Sequence, residues 1–431
     1  MVSDGALSSQ RLILWGPCCR RQRLQLRSVL ITTRAGADMG GLSEAAIAGA
    51  YMTKQGDLSD RSQPEVYWDC VQGALTDAGL TLDDVDGLIG PAPDGVGIRQ
   101  ALPGGAVADM VGHPLRFHAS TAIGASSQSA GIGLAALAIT HGMASVVVIP
   151  TAVAGSPEGS PGVDRDAAVA RMAQLGSPYE YMWGTTRVAD YAVVARRHMH
   201  EFGTTEAQMA EVAVAQRHGA VLNPLSAMGW RGEITVDDVL GSRKVADPLK
   251  LLDCCIVNQG GGCIVMTSTE DARALGRHAP VALLGWGEGH GYLDPNHAPS
   301  LTSFAGKHAA ATAFGVAGVS RDDVDVAGVS DHFTINVIVE LEDAGFCAKG
   351  EGGPFVSDGG TAIGGRLPTN TGGGFLSCSH AASCGLFTMI EVVQQLRHDA
   401  GPRQVEGATI GFALGVGGVS HTQYAAVLGR V

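Results

Sequence analysis

The segment Ala74-Leu-Thr-Asp-Ala-Gly-Leu-Thr-Leu-Asp-Asp-Val-Asp86 recurs without a gap as Ala313-Phe-Gly-Val-Ala-Gly-Val-Ser-Arg-Asp-Asp-Val-Asp325. The first alanine, an Ala-Gly pair, a branched apolar residue, a hydroxyl residue and Asp-Asp-Val-Asp coincide in both copies. Self-similarity of this quality constrains the chain more than any other feature, because one architecture has to be built twice. In the first copy Val66, Cys70, Ala74 and Ala78 fall at helical spacing, which predicts a helix over 65–80 with Gly79 as its C-cap. A strand follows at Gly87-Leu-Ile-Gly90, and the small-residue run Ala45-Ala-Ile-Ala-Gly-Ala50 reads as a buried strand ahead of it. After each copy come a glycine-rich loop, a helix of small residues and a hydrophobic strand. These are Ala130–Thr140 with Ser145–Pro150, and Gly385–Arg397 with Ala408–Leu414.

Repeated helix–strand units with buried strands define an α/β class. Two similar halves are expected, 39–280 and 281–431. The first is interrupted at about 153–250 by an insertion of the kind that forms a lid or a substrate-binding element. Apolar residues at 45% against 16% charged favour a large buried body over disorder. The net charge of −13 argues against general nucleic-acid binding, which needs a basic face. Nine cysteines, including the adjacent pairs Cys18-Cys19 and Cys254-Cys255, do not resemble a disulfide framework and read as reduced thiols of a cytoplasmic protein. No apolar run reaches the roughly 18–20 residues of a membrane span. Residues 1–38 carry Arg11, Arg20, Arg21, Arg23, Arg27 and Arg34. They suit either a targeting peptide or, the preferred reading, a disordered extension ahead of a start at Met39.

Several blocks resemble the thiolase superfamily, and within it the sterol-carrier and lipid-transfer-type thiolase-like proteins. They are Asp247-Pro-Leu-Lys-Leu-Leu-Asp-Cys-Cys255, Asp331-His-Phe333, Gly345-Phe-Cys-Ala-Lys-Gly-Glu351, and Gly364-Gly-Arg-Leu-Pro-Thr-Asn370 with Gly372–Gly374. Gly142-Met-Ala-Ser-Val-Val-Val-Ile149 matches the family's strand after its nucleophile helix. The resemblance runs from about Ala45 to Val431. It implies the duplicated thiolase fold: two βαβα halves in five layers, α-β-α-β-α, with an inserted loop domain. It also implies a tight homodimer and, by likeness to the related aldolases, a companion protein with a small OB-like, acyl-CoA-handling domain.

The family's catalytic positions carry over unevenly. A thiolase places its nucleophilic cysteine at the start of a helix, whose amino terminus stabilises the thiolate. At the family's spacing, seventeen residues before Gly142, this chain has Ala125. The adjacent Ser126 and Ser127 read as helix caps; the lesser alternative is a serine nucleophile, which would need a positioned base. The His-Asp-Cys-Phe block of sterol-carrier thiolases becomes Ser330-Asp331-His332-Phe333. His332 stands where the family has its acid/base cysteine. It suits that role and equally suits a packed loop histidine. The related aldolases carry a tyrosine before Asp-His-Phe, where this chain has Ser330. The Gly-His-Pro block becomes Ser379-His380-Ala381, and the resemblance implies a catalytic His380.

The family's Cys-x-Gly block is Gly415-Val-Gly417 followed by Gly418, glycines that let backbone N–H groups approach a thioester oxygen. Cys378 and Cys384 flank His380. No fourth ligand falls at zinc spacing, so no metal site is expected, and neither thiol has motif support as a replacement nucleophile. Cys254-Cys255 reads as core packing.

Two functions follow. One is an enzyme acting on a fatty or steroid-like acyl-CoA by carbon–carbon cleavage or formation of the aldol type, without a covalent acyl-enzyme. His380, His332 and Asp331 are its acid–base candidates, and Ser126 with backbone N–H groups its oxyanion donors. Coenzyme A enters as part of the substrate, and no covalent cofactor is expected. The other is a non-catalytic acyl-CoA or lipid binder that partners an active paralogue.

Overall fold

The computed structural model describes residues 41–93, 101–155, 186–292 and 295–431. The readings made for residues 1–38, and for the part of the insertion at 156–185, lie outside these. The strands of the main sheet are β1 (Ala45–Met52), β2 (Gly87–Ile89), β3 (Phe117–Ala119), β4 (Val147–Val153), β5 (Gly260–Ser268), β6 (Val281–His290), β7 (Val326–Val329), β8 (Ile410–Gly417) and β9 (Thr422–Arg430). They form one sheet in the order β3-β2-β4-β5-β1-β6-β9-β8-β7.

That order is one pattern written twice. In the first half β2 runs parallel to β3 and β4, while β5 pairs antiparallel with β4 and β1. In the second, β7 runs parallel to β8, while β9 pairs antiparallel with β8 and β6. The position matching β3 is reduced there to one parallel bridge, Ala327↔Thr369. Asn370 completes this edge: its side chain accepts from the Val329 N–H at 2.9 Å and donates to the Val329 carbonyl at 2.9 Å. The two copies meet where β1 pairs β6, at Ala46↔Ala282 and Ile47↔Val281.

The helices that sandwich the strands are α1 (Gln63–Ala78), α2 (Ile132–Thr140), α3 (Arg187–Phe202), α4 (Glu206–Leu222), α5 (Gly306–Ala317), α6 (Thr334–Ala344) and α7 (Gly385–Arg397). The period of two along each strand separates the layers. Ala46, Val148 and Val265 pack with Val66, Cys70 and Ala74 of α1. Ile47, Ile149 and Ile264 face the other way, into a core shared by α2, α7 and the inner face of the second half, including Leu283, Ala413 and Leu428. Phe412, Leu414 and Val427 turn outward to α5 and α6. The result is five layers, α-β-α-β-α. The helices α3 and α4, from the insertion in the first half, join the core of the second half through Tyr191, Val194, Met209 and Val212.

The duplicated segment makes the same bonds in both copies. α1 ends at Gly79 (φ 77°) and α5 at Gly318 (φ 69°), the left-handed C-cap that glycine adopts without strain. Asp84 accepts from the Thr81 N–H and hydroxyl at 2.8 and 2.9 Å. Asp323 accepts from those of Ser320 at 2.7 and 2.7 Å. The last aspartate reaches across to the next strand. Asp86 accepts from Ser145 N and Val146 N at 2.8 and 2.9 Å, and Asp325 from Thr409 N and Ile410 N at 2.7 and 2.9 Å. β4 and β8 each begin later and run further than their apolar runs suggest, because partner strands continue the ladder. Among the described residues no helix is long and apolar enough to cross a membrane.

Candidate active site

The chain leaves β7 at Val329 and is held residue by residue. Ser330 is fully buried: its hydroxyl accepts from Val416 N at 3.1 Å, and its N–H donates to Leu414 O at 3.0 Å and to Glu340 Oε2 at 2.9 Å. The Asp331 carboxylate accepts from Phe375 N at 2.8 and 2.9 Å and from Leu376 N at 3.0 Å. Those amides can reach it only because residue 374 is glycine. At φ 54° a Cβ there would lie 2.3 Å from Asp331 Oδ2. Burial pushes the Asp331 pKa up to about 7, against the downward pull of the two amides. Asp331 thus anchors the loop, its oxygens engaged by backbone.

His332 follows. Its carbonyl accepts from Cys255 N at 2.9 Å. Its ring packs edge-on to Phe375 at 5.0 Å and to His380 at 5.1 Å, centroid to centroid. His380 sits beyond the wide turn Gly374–Cys378, whose i→i+5 bonds run from Cys378 N to Gly373 O and from Ser379 N to Gly374 O. The His380 N–H donates to Asn258 Oδ1 at 2.8 Å, Asn258 Nδ2 donates to Ser379 Oγ at 3.2 Å, and Ser379 Oγ donates to Gln55 Oε1 at 2.7 Å. Burial lowers both imidazoles. His332 falls to about 3, helped by the neighbouring His380, and His380 is also lowered, against the upward pull of the Ile256 backbone. Both are therefore neutral near pH 7.

Ala125 lies in the turn Gly124–Ser126 that precedes a single helical turn, Ser127–Ala130, and then α2. Its carbonyl accepts from Ser383 Oγ at 3.2 Å and from Cys384 Sγ at 3.8 Å. Cys384 Sγ in turn stands 3.9 Å from His332 Nε2. Ala125, His332, His380 and Cys384 thus converge. Cys384 is fully buried, and burial raises its thiol well above the usual range. Cys378 lies elsewhere, with Asn223 Nδ2 at 3.5 Å from its sulfur, and burial pushes it to about 12.

Ser126 does not join this group. Its hydroxyl is sealed beneath Gly385 and Gly415 and has no hydrogen-bond partner among the described residues. Nor does it cap the helix. Ser127 ties the turn instead, accepting from Ile123 N at 3.0 Å and donating to Gly124 O at 2.7 Å. Gly415 and Gly417 hold β8 against the same turn. A Cβ at 415 would strike Ser126 Oγ and the Tyr424 ring, and one at 417 the Ile123 carbonyl. Gly418 is exposed, and its carbonyl accepts from the Tyr191 hydroxyl at 3.2 Å. On the far side of Ser383 a cavity of about 390 Å³ is lined by Tyr67, Pro91, Thr121, Gly124, Gln128 and Ser383, among others, and by neither histidine. Sequence reasoning missed Gln55, Asn258 and Phe375, which carry no motif and come from three distant parts of the chain.

Residues 287–430 match the thiolase C-terminal domain-like family. An acetyl-CoA acetyltransferase of Methanothermobacter thermautotrophicus is 34% identical over 394 residues, which cover 90% of this chain and 100% of that protein. A steroid side-chain-cleaving aldolase of Thermomonospora curvata is 33% identical over 363 residues, covering 82% of this chain and 90% of the aldolase. A solved structure described as an Ltp2-ChsH2(DUF35) aldolase superposes with a TM-score of 0.77 at 32% identity, covering 90% of this chain and 98% of that one. With its fold duplicated in all but the edge strand β3 and relatives of this identity along nearly its whole length, the chain belongs to the thiolase superfamily.

Proposed function

We propose that this protein cleaves or forms a carbon–carbon bond in a fatty or steroid-like acyl-CoA by aldol chemistry, without a covalent acyl-enzyme. The observation that carries the reading is the pair of neutral imidazoles, His332 and His380, beside a position occupied by Ala125. In the cleavage direction a base takes the proton of a β-hydroxyl. The bond between the α and β carbons then breaks, and its electron pair moves into the thioester as an enolate, which is reprotonated at the α carbon. His380 is the better base of the two, because His332 is held too far below neutrality to accept a proton readily. The 33% identity to a steroid side-chain-cleaving aldolase supports the substrate class. Thiolysis is disfavoured, since it needs a nucleophile that Ala125 lacks. The same reading takes the protein as a cytoplasmic homodimer working with an OB-like companion; the related Ltp2-ChsH2(DUF35) aldolase supports the companion.

A second reading, a non-catalytic acyl-CoA binder, draws on Ser330. It replaces the aldolases' tyrosine and is tied to Val416. One experiment separates the two: mass-spectrometric turnover of β-hydroxyacyl- and β-ketoacyl-CoA thioesters, fatty and steroidal, with wild type and His380→Ala. Product that falls by about 10²–10⁴-fold in the variant supports acid–base catalysis at His380. No product from any substrate, with acyl-CoA binding intact, transfers the assignment to the binder. Acetoacetyl-CoA thiolysis abolished by His380→Ala would overturn the Cys-independent reading.

A further inference from the structure

His332, His380 and Cys384 each direct one donor atom into a common space, and these three atoms all lie within 4.8 Å of one another. We propose that the trio forms a binding site for a soft divalent transition-metal ion of the zinc class, held by two imidazoles and one thiolate with the fourth position open.

The donor set is the first argument. Imidazole and thiolate together select zinc and its chemical neighbours over magnesium or calcium, which take oxygen ligands. Distance is the second. Zinc bonds of about 2.1 Å to nitrogen and 2.3 Å to sulfur place tetrahedral N and S ligands roughly 3.6 Å apart. His332 Nε2 and Cys384 Sγ stand at 3.9 Å before any ion is considered. All three pairs lie within 4.8 Å, about an ångström beyond what tetrahedral ligation sets, so ligation requires the histidine rings to turn inward.

The surroundings fit as well. The His380 main chain is held by Asn258, whose Oδ1 accepts from the His380 N–H at 2.8 Å. His332 Nδ1 is buried without a hydrogen-bond partner among the described residues, so no polar bond fixes its ring against turning toward an ion. On binding, the S–H bond of Cys384 breaks, a metal–sulfur bond forms, and the thiol proton passes to solvent. A lone pair given to a metal cannot accept a proton, so an occupied site and proton transfer by these histidines exclude each other. The metal site stands on donor geometry, and the aldol reading applies to the metal-free protein.

The test is titration of the chelator-stripped full-length protein with Co²⁺, followed by absorbance. One equivalent per chain should produce a thiolate-to-cobalt charge-transfer band in the near ultraviolet together with intense visible bands of tetrahedral cobalt. Cys384→Ser should remove the charge-transfer band, while Cys378→Ser should leave it intact. His332→Asn and His380→Asn should each weaken binding by at least ~10-fold. No such band at saturation, or a band that survives Cys384→Ser, would overturn the proposal. Should Cys384→Ser fail to fold, zinc-edge X-ray absorption of the wild type decides: a shell of one sulfur and two nitrogens supports the site, and any shell without sulfur refutes it. A negative result here leaves the turnover assay untouched, and a negative turnover assay leaves this result untouched.

Discussion

The two copies of the repeated unit share their scaffold bonds and differ in what lies past the strand ends. After β2 the chain runs Gly90-Pro91-Ala92, without a titratable group, whereas after β7 it runs Ser330-Asp331-His332. Before α2 stands Ala125, and before α7 stand His380 and Cys384. The aspartates that clamp the next strand, the hydroxyl–aspartate pairs and the helix-ending glycines are nevertheless alike in both. What repeats is what fixes the backbone. Beyond the strand ends the two copies diverge, and the titratable side chains of the candidate site lie past the strands of the second copy.

The largest expected effect falls on the device peculiar to that second copy. Gly374→Ala places a Cβ 2.3 Å from the Asp331 carboxylate at a left-handed φ. It should destabilise by about 3 kcal/mol or more, through backbone strain plus loss of amide bonds to a charged group. Chemical denaturation measures this directly. A loss below about 1 kcal/mol would mean that Asp331 is not what holds His332 in place.

Next come the clamps common to both copies. Asp86→Ala and Asp325→Ala each leave two backbone N–H groups without their carboxylate partner. Each should cost about 2 kcal/mol. Near-equal losses would show that the duplicated bonds do the same work in both halves. If only Asp325→Ala were costly, the first clamp would be a sequence relic, its partners satisfied by water.

The repeat was legible because its matching polar residues and glycine make local bonds that their types announce: glycine at a helix end, aspartate three residues after a hydroxyl, aspartate beside a strand start. The two-half α/β organisation followed from it, the five layers came from the family resemblance, and the strand order became visible only in the structure. The site was legible only in part. Asp331, His332 and His380 fall on motif positions, but motif position did not tell that Asp331 faces backbone amides or that Ser126 faces inward. Both outcomes depend on what packs opposite, Gly374 in one case and Gly415 in the other. Nor could spacing show His332 beside Cys384. The two lie far apart in the chain and meet only because β7 and α7 converge on the Ala125 turn.

The asymmetry between copies should also appear in pH dependence. The folded-state pKa of His332 is about 3, against about 6.5 unfolded. As pH falls below about 6.5 the unfolded chain takes up a proton that the folded chain refuses, and stability drops. Asp331 acts in the opposite sense: with its folded pKa raised to about 7, it adds stability as pH falls through that value toward about 3.9. The two therefore oppose each other between roughly pH 4 and 6.5. His332→Asn should unmask Asp331, so that the variant gains stability from pH 7 to 5 relative to wild type, by up to about 1.4 kcal/mol per pH unit. Thermal melts across that range test the sign. Parallel curves for the two proteins would mean that His332 titrates normally.

The smallest effect compares the helix-ending glycines. Gly79 and Gly318 have nearly the same φ, 77° and 69°, and for either one alanine costs about 1–2 kcal/mol from the left-handed backbone alone. The difference lies in what the methyl meets. At 79 it would approach Arg277 Cγ to 3.1 Å, while at 318 nothing among the described residues stands within 4 Å. Gly79→Ala should therefore be the more costly of the two, by a few tenths of a kcal/mol, as the flexible arginine gives way. The reverse order would place a neighbour on Gly318 and break the equivalence of the two copies at the very residues where their sequences agree.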